Sequence, residues 1–82
     1  VSLGVMPDYA FTGTGVRIEG SSAGKLGEKL GLKQGDILLQ VGDYKLIDVM
    51  SYMQALGKFK KGDKTVLVIK RDKEELKFDI QF

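Results

Sequence analysis

The 82-residue chain contains no histidine, no cysteine and a single proline. The first two absences remove the commonest general base, the Cys–His nucleophile pair and most zinc ligands, so no catalytic residue, metal ligand or cofactor is expected and the chain reads as a non-catalytic domain. Lack of cysteine also means no disulfide framework, a condition that a reducing cytoplasm and an oxidising periplasm both allow. No apolar run approaches the roughly 18 residues that span a bilayer, so membrane insertion is not expected. Val1 is not an initiator methionine, and the chain reads as one domain, residues 1–82, excised from a larger protein.

Charge of one sign is also missing. Thirteen basic and eleven acidic residues, mixed along the chain, leave a net charge of +2. Nucleic-acid binders concentrate positive charge on one surface, and this balance argues against that class. Only Lys58, Lys60, Lys61 and Lys64 cluster, as a solvated turn or a contact for an acidic partner. In so small a domain hydrophobic burial barely exceeds a conformational-entropy cost of roughly 1.5 kcal/mol per ordered residue, so the core must be compact.

What is present is a regular succession of short elements. Leu3–Met6 is an apolar run stopped by Pro7-Asp8, which places a first strand at a sheet edge because proline cannot donate to a central ladder. Val16–Glu19 alternates apolar and charged residues as a half-buried strand does. A short helix of about 24–30 carries Leu26 and Leu30 four apart and ends at Gly31; Gly27 inside it costs about 1 kcal/mol relative to alanine, so docking must hold it. Ile37–Val41 is dense enough for a buried strand, and Gly42-Asp43 turns it into Tyr44–Leu46. Asp48 is the expected N-cap of a second helix, about 48–57, with Gly57 as its stop. Val66–Lys70 and Leu76–Phe82 form a terminal hairpin around residues 71–74, with Leu76, Phe78, Ile80 and Phe82 on one face.

Two catalytic-looking strings fail on inspection. Gly20-Ser21-Ser22-Ala23-Gly24-Lys25 is one residue short of a phosphate loop and is followed by Leu26 instead of the magnesium-binding hydroxyl. Ser22 and Lys25 match a Ser-x-x-Lys pattern at two positions, without its companion motifs. The informative combination is different: an apolar-Gly-apolar loop, Ser2-Leu3-Gly4-Val5-Met6, opens the edge strand, and the second helix aligns Val49, Tyr52, Met53 and Leu56 on one face. Those are the parts needed to grip an extended peptide. The amides of Leu3, Gly4 and Val5 are candidates for holding a terminal carboxylate, with Leu3, Val5 and Leu56 walling a pocket. Met6, Val49, Tyr52, Met53 and Leu56 are candidates for lining the groove, although a helical stripe of this kind is also what a core requires.

Three stretches resemble the PDZ domain, in its bacterial, circularly permuted type. Ser2-Leu3-Gly4-Val5 is similar to the family's aromatic-Leu-Gly-Val carboxylate loop, with Ser2 in the aromatic position; Gly31-Leu32-Lys33-Gln34-Gly35-Asp36-Ile37-Leu38 is similar to its Gly-Leu-x-x-Gly-Asp-x-Ile signature; and 48–56 is similar to its groove helix. The resemblance implies a mainly β fold, α+β in content: a five- to six-stranded, partly open barrel or sandwich capped by two helices. It implies capture of C-terminal or extended peptide segments by strand addition between Leu3–Met6 and the second helix, with Val49 against the third-from-last ligand residue; an apolar side chain there cannot bond a hydroxyl, so an apolar ligand residue is expected. The runs Gly4–Tyr9 and Gly13–Val16 further resemble the C-terminal module of secreted zinc-dependent aminopeptidases, implying a periplasmic or secreted parent peptidase whose catalytic domain is a partner. The alternative is a structural or autoregulatory appendage whose groove is filled by the parent protein, and Tyr9-Ala10-Phe11 are candidates for a plug.

Overall fold

The computed structural model describes residues 1–82 as six strands and two helices. In chain order these are β1 (Val5–Pro7), β2 (Val16–Ser21), α1 (Leu26–Leu30), β3 (Ile37–Val41), β4 (Tyr44–Lys45), α2 (Val49–Leu56), β5 (Lys64–Arg71) and β6 (Glu74–Gln81). All strand pairings are antiparallel, in the order β1-β2-β3-β5-β6, with β4 added to β3. The mainly β, PDZ-like architecture with two helices is therefore present. Neither helix is long and apolar enough to cross a membrane.

The hairpins form where the turn chemistry asks for them. Val41 pairs with Tyr44 across Gly42-Asp43, where Gly42 sits at φ +58° beneath the Phe59 ring. Arg71 pairs with Glu74 across Asp72-Lys73, and Asp72 takes the positive φ of 55° that aspartate tolerates better than most residues. Helix α2 begins as expected at Asp48: its carboxylate accepts from the Ser51 amide at 2.8 Å, and the Ser51 hydroxyl accepts from the Asp48 amide at 3.0 Å.

The ends of other elements move for identifiable reasons. Helix α1 starts at Leu26, because Lys25 is an extended N-cap without a side-chain bond, and it closes on Gly31 at φ +80°. Gly57 does cap α2, but in right-handed conformation, so the chain leaves through further turns instead of a left-handed stop. The edge strand begins at Val5, not Leu3. Gly4 at φ +66° breaks the extended backbone, while Pro7 joins the strand.

One core runs through both helices and most of the sheet: Leu38, Val41, Leu67 and Ile69 from its middle, Leu3 and Ile18 from the β1 side, and Tyr52, Ala55 and Leu56 from α2. Leu76, Phe78 and Phe82 pack against it half-buried, with Ile80 buried. The buried charge is Asp36, whose carboxylate takes a forked pair from Arg71, Nε at 2.9 Å and Nη2 at 2.7 Å, plus the Lys33 amide at 2.8 Å. The same guanidinium donates to the Gly31 carbonyl at 3.1 Å. The end of β5 is thereby tied to the loop between α1 and β3.

Burial pushes the Asp36 carboxyl up, but the bonds from Arg71 and Lys33 outweigh it and hold the pKa below its ordinary 3.8. A depressed folded-state pKa adds stability that is complete above the ordinary value and is lost as pH falls through the folded one. Asp36→Asn should therefore cost about 2–3 kcal/mol, leaving the guanidinium without its charged partner. The check is a lower urea midpoint at unchanged m-value, with part of the acid-side slope of stability gone.

Candidate functional site

Leu3 is fully buried, and its carbonyl accepts from the Gly27 amide at 2.7 Å. Gly27 thus has a reason to interrupt a helix. A Cβ there would lie 2.8 Å from a Val5 methyl and 3.0 Å from the Leu3 carbonyl oxygen, so glycine is what lets α1 close against the β1 entry. Leu3 was expected as a pocket wall and is instead the core anchor of the loop.

From Gly4 onward the backbone alternates its hydrogen-bonding direction, as any strand does. The Gly4 carbonyl accepts from the Ser22 amide at 2.7 Å, and the Asp8 amide donates to the Arg17 carbonyl at 2.8 Å. The Gly4 carbonyl and residues 6 and 8 therefore face β2, and Val5 and Pro7 turn their main-chain groups to the open side. Side chains alternate too. Val5 and Pro7 line a cleft of about 380 Å³ together with Tyr9, Val49, Tyr52, Met53, Leu56 and the Val1-Ser2 segment. Met6 lies outside this lining, exposed, with its terminal methyl against Gly20. Its expected place in the groove is corrected by the strand's period of two.

The helix side of the cleft is graded. Tyr52 and Leu56 are 6% exposed each, so they form the floor and belong to the core as well. Val49 is half-buried at the first turn, and Met53 is 65% exposed on the rim. The stripe that was ambiguous between core and groove divides by depth. The Tyr52 phenol is pushed up to about 12, chiefly by burial, against a lowering contribution from the Leu3 backbone amide beside it. It stays neutral at physiological pH.

Two hydroxyls already face the loop. The Ser2 Oγ accepts from the Gly4 amide at 3.0 Å, and the Tyr52 phenol lies by the Leu3 amide. The Leu3 and Gly4 amides are thus engaged by hydroxyls, whereas the Val5 amide belongs to the open edge of β1. On the other side of Ser2 a second hollow is lined by Lys25, Lys29 and Lys61. These ammonium groups bias this end of the cleft toward negative charge. Lys61 belongs to the turn after α2, where Lys58 and Lys60 are exposed as well, as is Lys64 at the start of β5.

The cleft is not filled by residues 9–11. Phe11 lies under the Arg17 guanidinium, 4.8 Å from carbon to ring centroid, and that guanidinium is paired with Asp8. Tyr9 is 78% exposed and borders the cleft without closing it. A three-residue strand edge thus faces an apolar helix across an open channel.

A PDZ domain family profile matches residues 25–82, from the start of α1 through β6. The chain belongs to the PDZ domain family. A PDZ domain is in general a non-catalytic peptide- or protein-binding module. The matched stretch includes the groove helix, while β1 and its loop precede it. No match was found among curated proteins.

Gly27→Ala tests the coupling between α1 and the site. Helix propensity alone would favour alanine by about 1 kcal/mol, but overpacking against Val5 and Leu3 costs typically 1–3 kcal/mol. Net destabilisation of about 1 kcal/mol is expected, with amide shift changes spreading from α1 to Gly4 and Val5 in a heteronuclear spectrum.

Proposed function

We propose that this PDZ domain captures the free C-terminus of an extended apolar peptide, which adds as a strand to β1 and packs its side chains against α2. The observation that carries this reading is the unpaired edge of Val5 and Pro7 facing Val49, Met53 and Leu56 across an open cleft. Main-chain bonds to the edge supply sequence-independent affinity, and the helix supplies selection. The guest carboxylate sits at the Val5 amide end, where Ser2, Leu3 and Gly4 shape the loop and Lys25, Lys29 and Lys61 favour an anion.

Val49 at the start of α2 offers no hydrogen bond to a serine or threonine hydroxyl, so the third-from-last guest residue is apolar. Because association entropy offsets much of the contact energy of a few ordered residues, dissociation constants fall between millimolar and micromolar, roughly 4 to 8 kcal/mol. Linkage within a parent chain raises the effective concentration enough to make such binding useful.

The likeness of Gly4–Tyr9 and Gly13–Val16 to the C-terminal module of secreted aminopeptidases supports a more specific setting. In it the domain is a bacterial, circularly permuted PDZ that helps a periplasmic or secreted peptidase recognise or regulate its substrates.

Titrating an apolar peptide with a free C-terminus, and then its amidated twin, tests the central reading by amide chemical shifts. Amidation should weaken binding about tenfold or more, since it removes a charge-assisted contact. Equal affinities would overturn the carboxylate assignment, and no binding of either would overturn capture of such a C-terminus. Met53→Lys, at an exposed position, should weaken binding of the free acid about three- to tenfold while leaving the thermal midpoint within a few degrees.

A further inference from the structure

Strand addition needs donors as well as acceptors, and the free edge of β1 is short of one. Val5 and Pro7 are the two residues of β1 whose main-chain groups face the cleft, as the bonds of Gly4 and Asp8 to β2 establish. In an antiparallel addition Val5 exchanges two bonds with the last guest residue: its amide donates to the carboxylate, and its carbonyl accepts that residue's amide. The next exchanging pair sets Pro7 against the third-from-last guest residue. Pro7 has a carbonyl to accept with and no N–H to give.

Beyond Pro7 the edge ends. Asp8 faces β2 through its amide, and the chain then turns at Tyr9-Ala10, where the Phe11 amide donates to the Asp8 carbonyl at 3.3 Å, so no residue follows Pro7 on the open edge. The next hollow along the groove is bordered by Asp8 and Asp48. Residues further upstream in the guest therefore meet no ladder.

Resting on the C-terminal reading above, we propose that Pro7 is a specificity-determining residue that limits the ladder to the guest's last three residues, making the site a reader of short, flexible apolar C-terminal tails. The guest carbonyl opposite Pro7 stays hydrated in the open groove, and the guest's upstream chain need not be extended at all. A tail that protrudes only three residues from a folded or membrane-proximal body is long enough to be held.

The test pairs two proteins with a peptide series, read by isothermal titration or chemical shifts. For the native chain, acetylated tri-, tetra- and hexapeptides sharing one apolar C-terminus should bind within about twofold of each other. Pro7→Ala adds the missing donor. It should tighten the acetyl-dipeptide, whose acetyl group supplies the carbonyl opposite position 7, by about three- to tenfold, the span of one net hydrogen bond. The unacetylated dipeptide lacks that carbonyl and should show no gain.

A native-chain affinity that climbs more than about threefold from tri- to hexapeptide overturns the three-residue limit, as does a Pro7→Ala variant that gains nothing on the acetyl-dipeptide. Either result leaves the C-terminal reading intact if the amidated tripeptide still binds more weakly than the free acid. Loss of that difference is the failure of the parent reading instead. Should Pro7→Ala not fold, the native length series decides alone.

Discussion

The groove depends on the anchoring of Leu3. A strand of three residues at a sheet edge has too few contacts to fix its own position, and a two-stranded pairing is marginal in water. Here the residue before the turn at Gly4 is buried completely, a burial worth roughly 1.5–3 kcal/mol for a leucine, and its carbonyl is locked to the Gly27 amide. Gly4 at φ +66° then re-aims the chain, so that Val5 emerges on the edge. The short edge is rigid because the core holds its first link, and the glycine of α1 is the space that makes this fit possible.

A second tie joins α1 to the sheet. Arg71 at the end of β5 holds Asp36 and the Gly31 carbonyl, joining the loop after α1 to the strand that follows α2. The Asp36 carbonyl in turn accepts the Ile18 amide at 2.9 Å, which carries the same tie into β2, the partner of β1. Docking of α1, the β2–β3 pairing and the end of β5 are thus connected through one residue. Pairing a buried charge with a forked guanidinium is what keeps that carboxylate ionised without a large penalty.

Most of this fold was legible in the sequence because its signals are local. Alternation in β2 and β6, Gly42-Asp43, Asp48 and Gly31 each act within a few residues, and the structure keeps all of them. Long-range choices were not legible. Arg71 read as a turn residue because its partner lies 35 residues away, and Gly27 read as a weak point because its neighbour Val5 belongs to another element. In the site, the amphipathic face of α2 was visible, but its division into floor and rim depends on how deeply the helix sits. The exclusion of Met6 could have been found from period two alone, since Met6 and Val5 point to opposite faces. Pro7 was read as a stop signal, and its position as the last residue of the edge needed the register with Ile18.

An unpaired edge is a hazard as well as an opportunity, since it templates association with other chains. Besides the two-residue β4, the sheet ends in two such strands, β1 and β6, and they are guarded differently. β6 is eight residues long and carries exposed Glu75, Lys77 and Asp79 in alternation, so that a stacked copy would bring like charges together at several registers. β1 carries no charge between Val5 and Pro7; its guards are brevity and proline. Charges along β1 would have excluded apolar guests together with unwanted copies. A proline blocks long ladders while leaving Val5 free to exchange both of its bonds, so on the proposed reading protection from aggregation and preference for short guests share one missing N–H.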